Sequence, residues 1–255
     1  MLTNSQIKHI LSLKQKKFRT EHQQFVVEGV KVVKELLASP YKVDAVYALG
    51  EIADELAAVS SVVPTIITEM QLQKMSNLDT PNNVLALASI PQSSFNFLQV
   101  KDKLSLALDT INDPGNLGTI IRTAAWFGMD TIICSPNTTD AWSPKAVQAT
   151  MGALFRTNVV YADLKKVVEE YNSAHVPVYA TTLDGTDIYK TTLSPNGLIV
   201  IGSESHGVSP DLLALINKNL LIPSFSSGAA ESLNAAVAAG VVCSEFMRKS
   251  VVGSR

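Results

Sequence analysis

The chain has 255 residues, of which 46% are hydrophobic and 17% charged, with 13 Gly and 11 Pro. This composition excludes a disordered, collagen-like or low-complexity chain, and the length suits one large domain or two modest ones. The formal net charge of −2 means that any nucleic-acid binding must depend on a local basic patch rather than on overall charge.

Strands and helices alternate in the first part of the chain, which predicts a small α/β domain over residues 1–95. The predicted strands lie at 25–29, 43–49, 64–67 and 84–90, and the predicted helices at 30–37 and 52–59. Turn-forming residues at 91–94 mark the predicted domain boundary.

The N-terminal segment is locally basic, because residues 1–20 contain five basic residues and no acidic one. These residues are Lys8, Lys14, Lys16, Lys17 and Arg19. Two interpretations stay open: a solvated helix face, or a patch that contacts RNA phosphates.

Longer and more apolar strands follow from residue 98 onward. The predicted strands are 104–108, 131–134, 176–180 and 198–201, and the predicted helices 119–127, 143–154, 164–171, 210–216 and 230–248. Nearly continuous apolar runs are typical of strands covered on both faces, so we expect a second α/β domain over 98–255 with a parallel sheet.

The two cysteines, Cys134 and Cys243, lack the spacing of a metal site or a redox motif. Unpaired thiols fit a reducing cytoplasm, and we expect both to be buried. The longest apolar run near the C-terminus, 235–243, has nine residues, whereas a membrane-spanning helix needs about 18 or more. No signal-peptide pattern is visible. We therefore expect a cytoplasmic protein without a membrane partner.

Ligands of parallel α/β sheets bind at the carboxyl ends of the strands, so the loops there are candidate sites. The first, 112–118, contains two glycines and leads into a helix that carries Arg122. The second, 202–209, approximates a phosphate-binding loop, but Val208 replaces its lysine and Glu204 would repel phosphate. A nucleoside triphosphatase is thereby disfavoured.

The third candidate region contains Ser232 and Asn234 near the start of the last predicted helix, where they could face a ligand or simply cap the helix. Ser205 and His206 are adjacent but lack the surrounding motif of a serine hydrolase. The four histidines lack metal-ligand spacing, so we expect no metal. A Rossmann-type oxidoreductase is disfavoured because the glycine-rich dinucleotide motif is missing.

Taken in order, three segments resemble the motifs of the SpoU (TrmH) family of RNA ribose 2′-O-methyltransferases, of the SPOUT class. They are NDPGNLGTIIRTAAWFG at 112–128, IVIGSESHGV at 199–208 and IPSFSSGAAESLNAAVAAG at 222–240. SPKAVQATMGALFR at 143–156 resembles the stretch between the first two motifs. FVVEG at 25–29 resembles the small substrate-binding domain, related to ribosomal RNA-binding proteins, that many members carry.

The resemblance implies a C-terminal domain with a deep trefoil knot, an exception to the rule against threaded chains. It also implies a homodimer and S-adenosylmethionine bound in the knot. The cofactor would contact Gly202, Ile222 and Leu233. The catalytic centre would consist of Asn116, Arg122, Glu204, Ser232 and Asn234.

Within that centre, we expect Arg122 to clamp a phosphate and orient the ribose, and Asn116 to fix the Arg122 head group. Ser232 and Asn234 would bind the sugar or the loop. Lys14, Lys16, Lys17 and Arg19 would bind RNA phosphates. The stretch between Ile222 and Ser232 is longer than in several relatives, which would alter the wall of the cofactor site.

The function implied is methylation of a ribose 2′-hydroxyl in ribosomal or transfer RNA. A non-catalytic RNA-binding or ribosome-assembly factor that keeps the same fold is the alternative. Binding of S-adenosylmethionine would separate the two.

Overall fold

The computed structural model describes residues 2–58, 60, 62–226 and 232–252. The strands are β1 (Gln24–Glu28), β2 (Val43–Ala48), β3 (Thr65–Ile66), β4 (Val84–Ser89), β5 (Leu104–Asp109), β6 (Thr131–Cys134), β7 (Asn158–Tyr161), β8 (Val178–Asp187), β9 (Gly197–Gly202) and β10 (Lys218–Leu221). The helices are α1 (Asn4–Ser12), α2 (Lys16–His22), α3 (Val30–Leu37), α4 (Gly50–Ala57), α5 (Glu69–Met75), α6 (Phe97–Val100), α7 (Pro114–Trp126), α8 (Pro144–Thr150), α9 (Leu164–Ser173), α10 (Pro210–Leu213) and α11 (Ala235–Val252).

The chain divides into two compact units. The first unit comprises Met1–Gln92 and Asp140–Arg156, and the second comprises Ser93–Thr139 and Thr157–Arg255. The break after Gln92 lies within the predicted boundary region. The sequence-based division, which assigns all of 98–255 to one domain, does not anticipate that 140–156 packs with the first unit.

The first unit is built on a sheet with the strand order β1-β4-β2-β3. Strand β4 is antiparallel to β1 and β2, whereas β3 runs parallel to β2. Helices α1 and α5 each begin at a threonine, Thr3 and Thr68, whose side chain accepts a hydrogen bond from the backbone of a glutamine three residues later. Buried residues such as Ile10, Leu72 and Leu85 form the core between these helices and the sheet.

Residues 140–156 complete the first unit. Ser143 caps α8, which ends where Met151 adopts a left-handed conformation, and a 3₁₀ turn follows at Ala153–Arg156. The side chain of Gln148 donates to the backbone oxygen of Glu28 at 2.8 Å. The single helix predicted for 143–154 is therefore two short helical pieces.

The second unit contains a sheet with the order β10-β8-β9-β5-β6-β7, and each of its strand pairs is parallel. Every residue of β5 is buried, as are the first five of β9. These observations confirm the predicted α/β fold with a doubly covered parallel sheet. The trefoil knot stays a prediction.

Both cysteines are buried, as predicted, and neither forms a disulfide. Burial raises the pKa of Cys243 to about 12 and raises that of Cys134 as well. Within the described residues, no helix combines the length and the apolar character that crossing a membrane would require.

Candidate active site

Two neighbouring parallel strands bring the first two sequence motifs to one edge of the second unit. Strand β5 pairs with β9 up to the register Asp109↔Gly202, so α7 and the loop after β9 both begin at the carboxyl edge of the sheet. Helix α7 begins earlier than predicted, because Asp113 caps it and Pro114 occupies its first turn. Asn116 therefore lies in the first turn of the helix rather than in a loop.

The Glu204 carboxylate joins three segments that are distant in the chain. Its Oε1 accepts hydrogen bonds from the side-chain amide of Asn116, from Nδ2 of Asn234 at 3.2 Å and from the backbone of Ala235 at 3.1 Å. Asn234 Nδ2 also donates to Oδ1 of Asn116 at 3.0 Å. The carboxylate thus lies at the N-termini of α7 and α11, where helix dipoles favour a negative charge.

Asn234 has two roles at once. Its Oδ1 accepts hydrogen bonds from the backbone of Ala236 at 3.0 Å and Val237 at 3.3 Å, which caps α11. Its Nδ2 is left to bind Glu204 and Asn116. The helix cap is therefore shown, whereas a contact of Asn234 with a ligand stays a prediction.

Ser232 lies beside the same loop. Its hydroxyl donates to the backbone oxygen of Glu204 at 3.4 Å, a long hydrogen bond. Ser232 is exposed, so this hydroxyl is accessible to a ligand.

The expected contact between Asn116 and the guanidinium of Arg122 is not formed. Both polar atoms of the Asn116 side chain are engaged by Glu204 and Asn234. Arg122 is exposed on α7, and its guanidinium forms no hydrogen bond or ion pair with any residue in the described ranges. The arginine is consequently available to an external anion.

The tight turn after β9 requires a residue without a Cβ atom at position 202. A Cβ atom at this position would lie 1.9 Å from the carbonyl carbon of Gly207 and 2.2 Å from the nitrogen of Val208. Gly207 closes the turn by donating its N–H to the oxygen of Ser203 at 2.8 Å, with a φ of +66°. This close approach fixes the path of the chain on either side of Glu204.

Asp109 is a buried residue that the sequence analysis missed. Its Oδ2 accepts from the backbone of Ser209 at 2.7 Å, and its Oδ1 accepts from the Thr110 hydroxyl at 3.0 Å. It therefore secures the far end of the loop that carries Glu204. The sequence feature that could have identified Asp109 is an acidic residue at the end of a largely apolar strand.

Residues 103–244 match the SpoU rRNA Methylase family. The chain belongs to this family. Residues 4–86 match the MRM3-like substrate binding domain. The resemblance predicted from three motifs is confirmed, and the chain is an RNA methyltransferase.

Among similar proteins, the 23S rRNA (guanosine(2553)-2′-O)-methyltransferase RlmP of Bacillus subtilis (strain 168) is 32% identical, over 94% of each chain. An AdoMet-bound rRNA methyltransferase of Sinorhizobium meliloti superposes with a TM-score of 0.86 at 31% identity, covering 97% of this chain and 96% of that one. The SpoU methyltransferase AviRb of Streptomyces viridochromogenes, in complex with AdoMet, gives 0.87 at 25% identity, covering 98% and 99%.

Two of the three residues predicted to bind the cofactor of this SpoU methylase lie next to the residues described above: Gly202 at the end of β9 and Leu233 before α11. Leu233 lies between Ser232 and Asn234 in the chain and is 47% exposed, so an apolar side chain is open to a ligand in this segment. The Oε2 atom of the Glu204 carboxylate has no partner among the described residues. A carboxylate oxygen without a described partner suits S-adenosylmethionine, which carries two cationic groups, and an exposed apolar side chain suits its adenine ring. Ile222 is half-buried.

The stretch predicted to be longer than in relatives falls partly outside the described residues, at 227–231. Within the described part of the chain, no three His, Cys, Asp or Glu side chains are grouped as metal ligands.

The basic N-terminal segment of the SpoU methylase lies in the first unit, and the prediction of RNA contact is wrong for one of its four candidate residues. Lys14, Lys16 and Lys17 are exposed. Arg19 is only 3% exposed, because its guanidinium pairs with Asp140 at 2.6 Å and donates to the backbone oxygens of two residues that follow α1, Leu13 and Lys14. Arg19 is therefore a structural residue and cannot contact RNA phosphates in this conformation.

Proposed function

We propose that this SpoU methylase transfers a methyl group from S-adenosylmethionine to a ribose 2′-hydroxyl of ribosomal RNA. The observation that carries the proposal is the hydrogen-bonded junction of Asn116, Glu204 and Asn234, which unites the three motifs at one edge of the sheet. The names of RlmP and of the 23S rRNA (uridine(2479)-2′-O)-methyltransferase of Streptomyces viridochromogenes support the ribose oxygen and the ribosomal substrate.

The cofactor supplies an activated methyl group on a sulfonium, so the remaining task of the protein is alignment. Holding the hydroxyl, the methyl carbon and the sulfur in line contributes up to about 7–11 kcal/mol in favourable systems. The loop that carries Glu204 is suited to this task, because Gly202 and Asp109 restrict its two ends.

Arg122 binds the phosphate next to the target ribose. Its guanidinium is exposed and has no described partner, and a planar fork of donors matches a phosphate group. An arginine in a protein keeps its proton, so we assign Arg122 to orientation of the ribose rather than to removal of the hydroxyl proton.

The main role of Glu204 is to hold the three motifs together through its hydrogen bonds. Its Oε1 is fully used by three donors within the second unit. Its Oε2 points to no described donor and is available to a cationic group of the cofactor. We assign Ser232, which is exposed, to binding of the sugar.

We also propose that the protein acts as a homodimer in the cytoplasm. Trp126 at the end of α7 is 85% exposed, and Val237 on α11 is 53% exposed. Large apolar side chains exposed on two helices that pack against one another favour a protein–protein interface. Sedimentation analysis of the wild-type protein and of Trp126→Lys tests the dimer, since a charge at this position should yield monomer.

The alternative, a non-catalytic RNA-binding or assembly factor, would keep the fold without a working site. The complete set of site residues argues against it, and calorimetric titration with S-adenosylmethionine separates the two. No binding by the folded protein would favour the alternative.

The deciding experiment maps 2′-O-methyl groups in ribosomal and transfer RNA from cells with and without this protein. We expect one ribosomal position to lose its methyl group. The purified protein should then methylate an unmodified transcript, and a matched transcript with deoxyribose at that position should accept no methyl group. Methylation of the deoxyribose control, or a missing site only in transfer RNA, would contradict the proposal.

A further inference from the structure

Helix α2 is held in the first unit from its inner side. Arg19, on that side, is buried against Asp140 and the carbonyl oxygens that precede the helix. As a result, Lys16, Lys17 and His22 of the same helix are exposed. The buried contacts of Arg19 therefore fix which side chains of α2 face outward.

Three rings lie together at this surface. The rings of Phe18 and His22 are nearly parallel, with an interplanar angle of 11° and centroids 6.4 Å apart. The ring of His9, from α1, meets His22 edge to face at 4.7 Å and 74°. His22 is exposed, whereas Phe18 and His9 are half-buried, so the two inner rings support an outer one.

The supporting histidine is itself oriented by a chain of hydrogen bonds. Gln24 donates through Nε2 to the Asp44 carboxylate at 2.8 Å, which leaves its Oε1 facing Nε2 of His9 at 2.8 Å. Because that oxygen can only accept, His9 must donate through Nε2. Burial acts to raise the pKa of Asp44, but hydrogen bonds from Gln24, Ser89 and Lys42 lower it, which keeps the acceptor ionised.

One lysine side chain lies beside the rings. Lys17 places its ammonium nitrogen 5.7 Å from the centroid of the Phe18 ring. Lys14 and Lys16 are exposed nearby in the chain. A flat exposed ring in a basic segment, with one ammonium group near the ring cluster, matches single-stranded RNA, whose bases stack on aromatic side chains while its phosphates bind lysine.

We propose that His22, supported by Phe18 and His9, is a stacking site for an unpaired base of the RNA substrate. This inference rests on the proposed function and adds a binding site on the first unit. Lys14, Lys16 and Lys17 hold the phosphates on either side of the stacked base.

The test compares His22→Ala, which removes the ring, with His22→Phe, which keeps a ring but cannot carry charge. The matched control is His175→Asn, which removes an exposed histidine of the second unit at a position with φ of +57°, a conformation that Asn tolerates. The probes are an unmodified 23S rRNA transcript and a short single-stranded RNA that contains the fluorescent base 2-aminopurine.

We expect His22→Ala to raise the Kd for RNA about 5- to 100-fold, the range for loss of one stacked base, with an unchanged salt dependence. His22→Phe and His175→Asn should bind like the wild type. Quenching of 2-aminopurine should persist with His22→Phe and disappear with His22→Ala. Unfolding curves and affinity for S-adenosylmethionine should be the same for all variants.

Two results would overturn the inference: wild-type affinity of His22→Ala, or equal weakening by Ala and Phe with a reduced salt dependence, which would indicate a charged contact instead. Methyl transfer by the wild type is measured in parallel. If the wild type methylates rRNA while His22→Ala binds normally, only the stacking site is refuted. If the wild type neither binds nor methylates RNA, the proposed function fails as well.

Discussion

Arg19 and Asp140 form a buried ion pair although 121 residues separate them in the chain. Their side chains are only 4% and 11% exposed, and a second bond, from Arg19 Nε to Asp140 Oδ2, measures 2.7 Å. Two bonds to one carboxylate oxygen, together with two carbonyl acceptors, satisfy the buried guanidinium. The pair therefore ties the basic N-terminal segment to the 140–156 segment within the first unit.

The first prediction concerns this pair. Asp140→Ala should lower the free energy of unfolding by about 3–5 kcal/mol, because it leaves a buried guanidinium without its counter-charge. Urea unfolding followed by circular dichroism measures the change. As the control, Glu55→Ala removes the partner of the exposed Lys34 and should cost about 0–1 kcal/mol. Similar destabilisation of the two variants would contradict the structural role of the buried pair.

The second prediction concerns Arg122. Arg122→Ala should reduce methyl transfer by about a hundredfold or more while the Kd for S-adenosylmethionine stays the same, because we propose that the side chain binds RNA and not the cofactor. Arg122→Lys should be intermediate, since an ammonium keeps the charge and loses the bidentate geometry. Single-turnover assays and calorimetry provide the two readouts. Unchanged turnover in Arg122→Ala would refute the role.

The third prediction separates the two roles of Asn234. Asn234→Asp keeps the oxygen that caps α11 but loses the two N–H donations and places a second negative charge against Glu204. We expect the cap to be kept, so that the helical circular dichroism signal is unchanged, and a decrease in methyl transfer of about 10²-fold, the effect of removing one positioned donor. Asn234→Ala, which removes both functions, should also lower the stability by about 0.5–2 kcal/mol. Full activity of Asn234→Asp would show that only capping matters.

The fourth prediction compares two glycines of the second unit. Gly202→Ala should abolish binding of S-adenosylmethionine and cost about 2 kcal/mol or more of stability, because its Cβ would overlap the Gly207 backbone. Gly240→Ala places a Cβ 3.9 Å from a Thr123 methyl group, an ordinary contact, and should gain up to about 1 kcal/mol in helix α11. Calorimetry and thermal unfolding measure both. Normal cofactor binding by Gly202→Ala would contradict the close-packed turn.

The fifth prediction concerns the exposed lysines of the N-terminal segment. Replacing Lys14, Lys16 and Lys17 with Gln should weaken RNA binding and flatten its salt dependence by about 0.7–0.9 in slope for each phosphate that is no longer neutralised. The segment should stay folded, because Arg19 is left in place. The matched control replaces exposed lysines elsewhere, namely Lys74, Lys166 and Lys190. Equal effects of the two triple substitutions would indicate only a general electrostatic attraction between the protein and RNA, and no specific site at Lys14, Lys16 and Lys17.

The convergence of the three motifs could be predicted from the sequence, since their order and content identify the family. The partners inside the site could not. The sequence places Asn116 six residues before Arg122 and suggests that the two meet. In the structure Asn116 bonds Glu204 and Asn234 instead, because Asp113 and Pro114 start α7 early enough to turn its first residues toward the sheet edge. Local sequence does not specify which of several distant acceptors a side chain meets.

The parallel sheet was predictable because its central strands are continuous apolar runs. The strands β7 and β10 were missed, since each has four residues and at least one outward-facing polar side chain. Helices α1 and α5 were also missed, although the pattern Thr-x-x-Gln at Thr3 and Thr68 is a helix-start signal. The sequence groups Arg19 with the lysines that are predicted to bind RNA, because its acceptor, Asp140, is remote in the chain.

The return of residues 140–156 to the first unit has a consequence for biosynthesis. During synthesis, the first unit can be completed only after residue 156 has left the ribosome, because Asp140 and Gln148 cannot reach their partners earlier. Until then Arg19 has no carboxylate to neutralise it. A fragment that ends at Gln92 therefore lacks the partners of Arg19 and of the Glu28 backbone oxygen that the complete first unit supplies.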